Sequence, residues 1–157
     1  MAFVDRAGVR IYWRSDGHPG APPLLLSNSL GTDCAFWDPV MPRLADYFHV
    51  IRMDTRGHGA SDAPPGPYSM QMLAEDTLAV ADAAGLRQFA FAGVSMGGGI
   101  GMHLAINHPE RLARLKEAIA VLAEVEEVAR MAKAQLGKLE RRLGAVPKAT
   151  GAQTTGG

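Results

Sequence analysis

The stretch Phe89-Ala90-Phe91-Ala92-Gly93-Val94-Ser95-Met96-Gly97 decides the fold. Its first four residues are apolar and favour a buried strand, and the segment from Met96 to Asn107, which ends before Pro109, favours a helix. The turn between them matches G-x-S-x-G, a pattern that carries meaning only where it joins a strand to a helix. There the chain turns sharply enough to lift the Ser95 hydroxyl above the sheet edge, and the two glycines remove side chains that would collide. Ser95 is therefore the predicted nucleophile.

A second interpretation of these glycines is a turn that packs a strand and a helix around a dinucleotide. Such a fold carries its glycine fingerprint after the first strand and an acidic residue about 20 positions further on. Here the glycines come late in the chain, and no aspartate follows Ser95. The sequence favours the nucleophile turn.

Outward from this turn, the chain repeats the order of strand and helix. The predicted elements are a hairpin over Ala2 to Arg14, strands at Leu24–Leu26, Val50–Met53 and Phe89–Ala92, a short or broken helix capped by Asp33, and a longer helix capped by Ser69 and ended by Gly85. The longer helix has the predicted apolar face Met72, Leu73, Leu78, Val80 and Ala83. This alternation predicts parallel βαβ units, with the last strand at an uncovered sheet edge.

Beyond Arg111 the composition changes to apolar residues spaced three to five apart among many charged ones. This spacing predicts one long amphipathic helix over residues 115–144, or two joined at Gly137. The predicted organisation is a core over residues 1–114, the helical segment 115–144 and a flexible tail over 145–157. The apolar stripe of the helix needs cover from the chain's own sheet or from another chain, so self-association or a partner chain remains open.

Composition excludes several classes of function. The 157 residues suit one domain, and 16 basic residues balance 16 acidic ones, which leaves no general positive field for nucleic acid or an anionic membrane. Cys34 is the single cysteine and cannot form an internal disulfide. The first residues lack the basic region and the long apolar run of a secretory signal peptide, so we expect none here. No apolar run approaches the roughly 20 residues that span a bilayer. We expect a cytoplasmic protein that takes no metal and no organic cofactor.

The segment Ser27-Asn28-Ser29-Leu30-Gly31 follows the leucine-rich strand. Sheets that carry the nucleophile turn take a second oxyanion donor from this place, so the predicted pair of donors is the backbone N–H of Leu30 and of Met96. Each such donor lowers a barrier by on the order of 3 kcal/mol. The alternative is a plain polar loop in which Asn28 forms an Asx turn.

The turn Asp54-Thr55-Arg56-Gly57-His58-Gly59-Ala60-Ser61 ends another predicted strand. His58 between two glycines invites a catalytic interpretation, but a triad histidine follows the serine in chain order. We therefore predict that Asp54, Arg56 and His58 hold the loop by hydrogen bonds.

Taken together, these segments resemble the α/β-hydrolase family, and within it the 3-oxoadipate enol-lactone hydrolases of aromatic-acid catabolism. The resemblance covers about the first 115 residues, and it rests on Leu26–Thr32, Asp54–Ser61, Pro64–Tyr68, Gly93–Gly98 and His108–Leu112. It implies a hydrolase without a cofactor that opens a small enol-lactone to 3-oxoadipate. By the same resemblance, Ser95 is the nucleophile, Leu30 and Met96 are the oxyanion donors, and Ser29 binds substrate.

The chain departs from this family after the nucleophile. Family members continue with further strands, a lid, an acid and a final histidine. Here the histidines after Ser95 are His103, roughly 10 Å along the predicted helix, and His108 just beyond it. The expected fold is thus a truncated α/β-hydrolase fold with a mostly parallel sheet and a long C-terminal amphipathic helix, nearly inactive by itself. Open alternatives are another small-substrate esterase or haloperoxidase-like hydrolase, a fragment that acts as a helix-mediated interaction module, or a second polypeptide that completes the triad.

Overall fold

The structure, a computed structural model, describes residues 2–113. The helix predicted over 115–144 and the tail predicted over 145–157 lie outside the described residues. The strands are β1 (Ala2–Arg6), β2 (Val9–Asp16), β3 (Pro23–Ser27), β4 (His49–Met53) and β5 (Ala90–Gly93). The α-helices are α1 (Met41–Leu44), α2 (Met70–Ala83) and α3 (Met96–Asn107), and 3-10 helices cover Cys34–Val40 and Pro109–Arg111. None of the helices in the described part is long and apolar enough to cross a bilayer.

The five strands form one sheet in the order β1-β2-β4-β3-β5. The predicted hairpin is present: β1 pairs antiparallel with β2, which pairs antiparallel with β4. Strand β3 pairs in parallel with β4 on one side and β5 on the other, so the leucine-rich strand is central, as predicted. The carboxyl ends of β3, β4 and β5 therefore meet at one edge of the sheet.

The central strand is apolar because both of its faces are covered. Leu24, Leu25 and Leu26 are fully buried, as a parallel strand with layers on both sides requires. One core cluster packs around Leu25 and Phe89, and a second joins α2 to α3 through Leu73, Ala74, Ile100 and Leu104. These layers hold α3 against the strand end that carries the predicted nucleophile.

Helix α2 begins and ends where its sequence signals place it. The Ser69 hydroxyl accepts a hydrogen bond from the backbone N–H of Met72 (3.1 Å), and Gly85 follows the helix with φ of 73°. The predicted apolar face is only partly right, because Ala83 is exposed whereas Asp76 and Thr77 are fully buried. Polar burial is tolerated here because both side chains find partners, Thr77 by donating to the carbonyl oxygen of Leu73 (2.9 Å).

The chain between β3 and β4 forms a broken helix, as its prolines predict. The Asp33 carboxylate caps it by accepting the N–H of Ala35 (2.8 Å). A 3-10 helix that contains Pro39 then leads into the four residues of α1. Proline lacks the N–H that a longer α-helix would need.

Within residues 2–113, β5 lies at one edge of the sheet, as predicted, and β1 lies at the other. Just before β5, Phe89 forms one parallel bridge with Leu112. The N–H of Phe89 donates to the carbonyl oxygen of Arg111 (3.1 Å), and the N–H of Ala113 donates to that of Phe89 (2.9 Å). Pairing at this edge thus begins at the N-terminal end of β5.

A buried ion pair connects α2 to the turn after β4. The Arg56 guanidinium donates to both carboxylate oxygens of Asp76, from Nε (2.5 Å) and from Nη2 (2.6 Å), and this hydrogen bonding raises the pKa of Arg56. Arg6 of β1 donates to the same carboxylate (3.2 Å) and also pairs with Glu75. Asp76 is fully buried, so its charge depends on these two cations.

We expect Asp76→Asn to lower the free energy of unfolding by about 3–5 kcal/mol, because it leaves the Arg56 charge buried without its counter-ion. Urea denaturation of the full chain measures the loss. The neighbouring Glu75→Gln is the matched control: its carboxylate is partly exposed, and its removal should cost about 0–1 kcal/mol. Equal losses in the two variants would contradict this account.

Candidate active site

The predicted nucleophile occupies a strained turn between β5 and α3. Ser95 has φ of 54° and ψ of −110°, outside the regions that residues with a side chain ordinarily adopt. Such a backbone costs of order 1–3 kcal/mol and persists only where its surroundings enforce it. The Ser95 side chain is exposed and makes no capping bond to α3, which begins at Met96 as predicted. The hydroxyl is thus presented to solvent.

The glycines of the turn are required by close backbone contacts, as predicted. A Cβ atom on Gly93 would lie 2.3 Å from the carbonyl carbon of Gly97. A Cβ atom on Gly97 would lie 2.5 Å from the carbonyl oxygen of Ser27. Both distances are shorter than any real contact, so only glycine lets the start of α3 approach β5 and the end of β3 this closely.

Two backbone hydrogen bonds join the nucleophile turn to the loop after β3. The N–H of Val94 donates to the carbonyl oxygen of Ser27 (3.3 Å), and the N–H of Gly97 donates to that of Asn28 (3.2 Å). The predicted site residues therefore lie on two segments that contact each other. Ser29 is half-buried and Leu30 is 70% exposed on one segment, and Met96 is half-buried on the other.

Asn28 anchors the loop after β3 from below. Its side chain is buried; Oδ1 accepts a hydrogen bond from Trp37 Nε1 (2.8 Å), and Nδ2 donates to the carbonyl oxygen of Met53 (3.0 Å). The amide thus bonds to distant residues rather than closing a local Asx turn. No sequence signal identified Trp37 as its partner.

The turn after β4 is held by its own polar side chains, as predicted. Asp54 Oδ1 accepts the N–H of Cys34 (2.7 Å), and Oδ2 accepts the N–H of Ala60 (2.8 Å). His58 does more than the sequence predicted, because its Nε2 lies 2.9 Å from the backbone nitrogen of Gly31. It therefore bonds to the loop that carries Leu30, 27 residues earlier in the chain.

The other histidines do not complete a triad in the described structure. His103 lies two turns into α3, and its carbonyl oxygen accepts a hydrogen bond from Asn107 Nδ2 (2.9 Å). His108 follows α3, with Nδ1 3.8 Å from Glu110 Oε1. Within residues 2–113, no hydrogen bond joins the Ser95 hydroxyl to a histidine or a carboxylate.

Cys34 is not a competing nucleophile. Burial, with the nearby Asp54 carboxylate adding to it, raises the pKa of the Cys34 thiol to about 12. The thiol therefore stays protonated, and the thiolate is the reactive form.

Among the described residues, no three His, Cys, Asp or Glu side chains are grouped to hold a metal ion.

A surface cavity of about 500 Å³ lies between the loop after β3 and the turn after β4. Gly31 and Thr32 line it on one side, His58 on the other, and the ring of Phe36 adds an apolar wall. Ser95 is not among the lining residues. The cavity therefore borders the loop that carries Leu30 rather than the nucleophile itself.

Comparison with known proteins places these features in context. A family model described as the alpha/beta hydrolase fold matches residues 22–146. The chain is 40% identical over 128 residues to 3-oxoadipate enol-lactonase 2 of Acinetobacter baylyi, covering 82% of this chain and 48% of that protein. It is 44% identical over 98 residues to a protein of Caulobacter segnis named as a candidate carbamate hydrolase, RutD. This match covers 61% of this chain and 37% of that protein.

The solved structure of an enol-lactonase from Burkholderia xenovorans LB400 is also similar, with a TM-score of 0.70 at 42% identity over 72% of this chain and 44% of that one. The chain spans less than half of the length of these relatives. The activities of these longer relatives can therefore only be proposed for this chain.

The glycine contacts predict that substitution by alanine has opposite effects on stability at the adjacent positions 97 and 98. Gly97→Ala should lower the free energy of unfolding by about 1–3 kcal/mol or more, because its Cβ would collide with the backbone of Ser27. Gly98→Ala should raise it by up to about 1 kcal/mol, because its Cβ meets nothing closer than 3.6 Å and alanine favours a helix. Urea denaturation compares the two, and a destabilising Gly98→Ala would refute the explanation.

The strain at Ser95 predicts that glycine is preferred there. We expect Ser95→Gly to be about 1 kcal/mol more stable than Ser95→Ala, because relief of about 1–3 kcal/mol of strain exceeds the greater freedom of glycine in the unfolded chain. Thermal unfolding of both variants measures the difference. Ala7→Gly, at the other described non-glycine residue with φ of 54°, is the control and should stabilise in the same direction. A Ser95→Gly variant less stable than Ser95→Ala is the contrary result.

Proposed function

Because the chain belongs to the α/β-hydrolase family, we propose that it carries the nucleophile of a serine hydrolase for small lactones or esters, and that Ser95 is that nucleophile. The observation that carries this proposal is the strained, positive-φ backbone of Ser95, enforced by the contacts of Gly93 and Gly97. Strain of this kind concentrates at functional sites. The serine hydroxyl stands where the chain turns from β5 into α3.

In the proposed reaction, Ser95 Oγ attacks the carbonyl carbon of the substrate while a general base takes the hydroxyl proton. The carbonyl oxygen becomes negative and accepts hydrogen bonds from the backbone N–H groups of Leu30 and Met96. The Met96 amide suits this role because it is the first of α3, where helical amides have no partner within the helix. The bond between the carbonyl carbon and the leaving oxygen then breaks as that oxygen takes up the proton, and in a lactone the ring opens with this oxygen still on the acyl chain. Water then hydrolyses the ester bond to Ser95, which regains its proton.

We propose 3-oxoadipate enol-lactone as the substrate, opened to 3-oxoadipate in aromatic-acid catabolism, with Ser29 in contact with it. The support is the similarity to proteins named enol-lactonase, which covers 82% of this chain in one comparison and 72% in the other. No step of this hydrolysis needs a metal or an organic cofactor. A carbamate or another small ester is the alternative, and the similarity to the RutD-named protein supports it.

The general base of this reaction is not among the residues that surround Ser95 in the described structure. In this family the acid and the histidine follow the serine in the chain. The 157 residues hold no aspartate after Ser95, and His103 and His108 lie along or beyond α3. We therefore expect the 157-residue chain alone to retain only the residual catalysis that an oxyanion hole provides.

A fluorophosphonate probe tests the nucleophile with and without added imidazole, which substitutes for the histidine in solution. We expect slow labelling that imidazole accelerates and that Ser95→Ala abolishes, with peptide mass spectrometry placing the label on Ser95. Ser69→Ala, at the cap of α2, is the control and should label as the unsubstituted chain does.

Equal labelling of Ser95→Ala would overturn the assignment of the nucleophile. Fast labelling that does not respond to imidazole would overturn the expectation that the chain lacks its own base.

A further inference from the structure

His58, in the turn after β4, bonds to Gly31, the residue that directly follows Leu30. Its Nε2 accepts the N–H of Gly31 (2.9 Å), so Nε2 carries no proton. A neutral imidazole then carries its proton on Nδ1, which lies 3.2 Å from the carbonyl oxygen of Arg56 and donates to it. One ring thus connects the two loops.

The peptide unit on the other side of Leu30 is fixed separately. The carbonyl oxygen of Ser29 accepts two hydrogen bonds from Thr32, one from its N–H (3.2 Å) and one from its hydroxyl (2.8 Å). Because a peptide unit is planar and trans, fixing the Ser29 carbonyl also fixes the Leu30 N–H, which points the opposite way. The unit that follows contains the Gly31 N–H, and His58 holds it.

Leu30 therefore lies between two peptide planes, one held by Thr32 and the other by His58. Its own side chain is 70% exposed and contributes little packing to hold the loop. Gly31 has φ of 76°, a conformation in which glycine is unstrained but also least restrained. The direction of the Leu30 N–H consequently depends on hydrogen bonds rather than on burial.

The imidazole is itself well placed to act as a rigid support. The N–H of His58 donates to the carbonyl oxygen of Thr55 (2.9 Å), and the N–H of Ser61 donates to the carbonyl oxygen of His58 (3.1 Å). The same turn is held by Asp54 and by the buried Arg56. The buried residues thus hold the turn, and the turn holds Gly31 through His58.

We propose that His58, as the neutral imidazole protonated on Nδ1, is a positioning residue: by holding the Gly31 N–H it keeps in place the turn in which Thr32 fixes the Ser29 carbonyl, and with that carbonyl the Leu30 N–H as an oxyanion donor. The proposal rests on the proposed function only in naming the Leu30 N–H as an oxyanion donor. In this role His58 acts through the backbone of the loop. This differs from a triad histidine, which would bond to the serine.

The first test detects the hydrogen bond in the unsubstituted full chain by NMR. An N–H···N bond transmits a scalar coupling between its two nitrogens, so we expect a cross peak between the Gly31 amide nitrogen and His58 Nε2. The imidazole nitrogen shifts should show the proton on Nδ1. No coupling, or a proton on Nε2, would overturn the proposal, and neither result depends on a variant that folds.

The second test compares His58→Leu, which removes the acceptor, with His58→Gln, whose side-chain oxygen keeps an acceptor near the position of Nε2. Backbone relaxation measures the order parameters of the Leu30 and Gly31 amides. We expect values of about 0.85, typical of rigid segments, in the unsubstituted chain and values toward about 0.6 or below in His58→Leu. His58→Gln should restore the higher values. The Ala60 amide, bonded to Asp54 in the same turn, is the control and should stay rigid in all three proteins.

A Leu30 amide that stays as rigid in His58→Leu as in the unsubstituted chain would overturn the positioning role. Loss of rigidity in His58→Gln equal to that in His58→Leu would also overturn it, because the acceptor would then not matter. These measurements do not use the reactivity of Ser95. Failure of the labelling experiment and failure of this proposal are therefore distinguishable.

Discussion

The candidate site depends on the approach of Gly97 to the carbonyl group of Ser27. At this distance a single methyl group would collide with the backbone, so the start of α3 lies directly on the end of β3. The hydrogen bonds from Val94 and Gly97 to the same short segment fix the register between the two parts of the chain. Ser95 lies in the chain between these two hydrogen-bonded residues, and the parallel pairing of β3 with β5 further fixes the position of the turn. The strained backbone of the serine persists because its neighbours on both sides cannot move.

Local signals in the sequence predicted most of the architecture. The strands were placed within one residue at each end in β4 and β5, because apolar runs that end at polar turns are read from neighbouring residues alone. The start of α2 was predicted for a similar reason, since Ser69 satisfies an amide of the first turn. The glycines of the nucleophile turn were predicted because steric conflict there arises within a few residues. The predicted apolar face of α2 was wrong in part, because Ala83 is exposed whereas Asp76 and Thr77 are buried.

Contacts between distant segments could not be predicted from the sequence. Asp76 is buried because Arg56, 20 residues earlier, supplies its counter-charge, and no spacing rule pairs the two. Asn28 and Met53, and likewise His58 and Gly31, meet because β3 and β4 are neighbours in the sheet. A propensity or a motif describes a residue and its near neighbours. Hydrogen bonds across loops depend on topology, which must be known first.

The polar residues at this sheet edge divide into two groups with different surroundings. Asp54, Arg56 and Asn28 are buried, and hydrogen bonds satisfy their side chains, as a low-dielectric setting requires. Ser95 and Leu30 are exposed above them. Donors stabilise a developing charge most when they are already oriented, because no energy is then spent in turning them during the reaction. For the reaction proposed above, a rigid polar layer beneath the exposed Ser95 and Leu30 meets that requirement, and it gives the burial of the Asp54 and Arg56 charges a reason in the geometry of the loops that they hold.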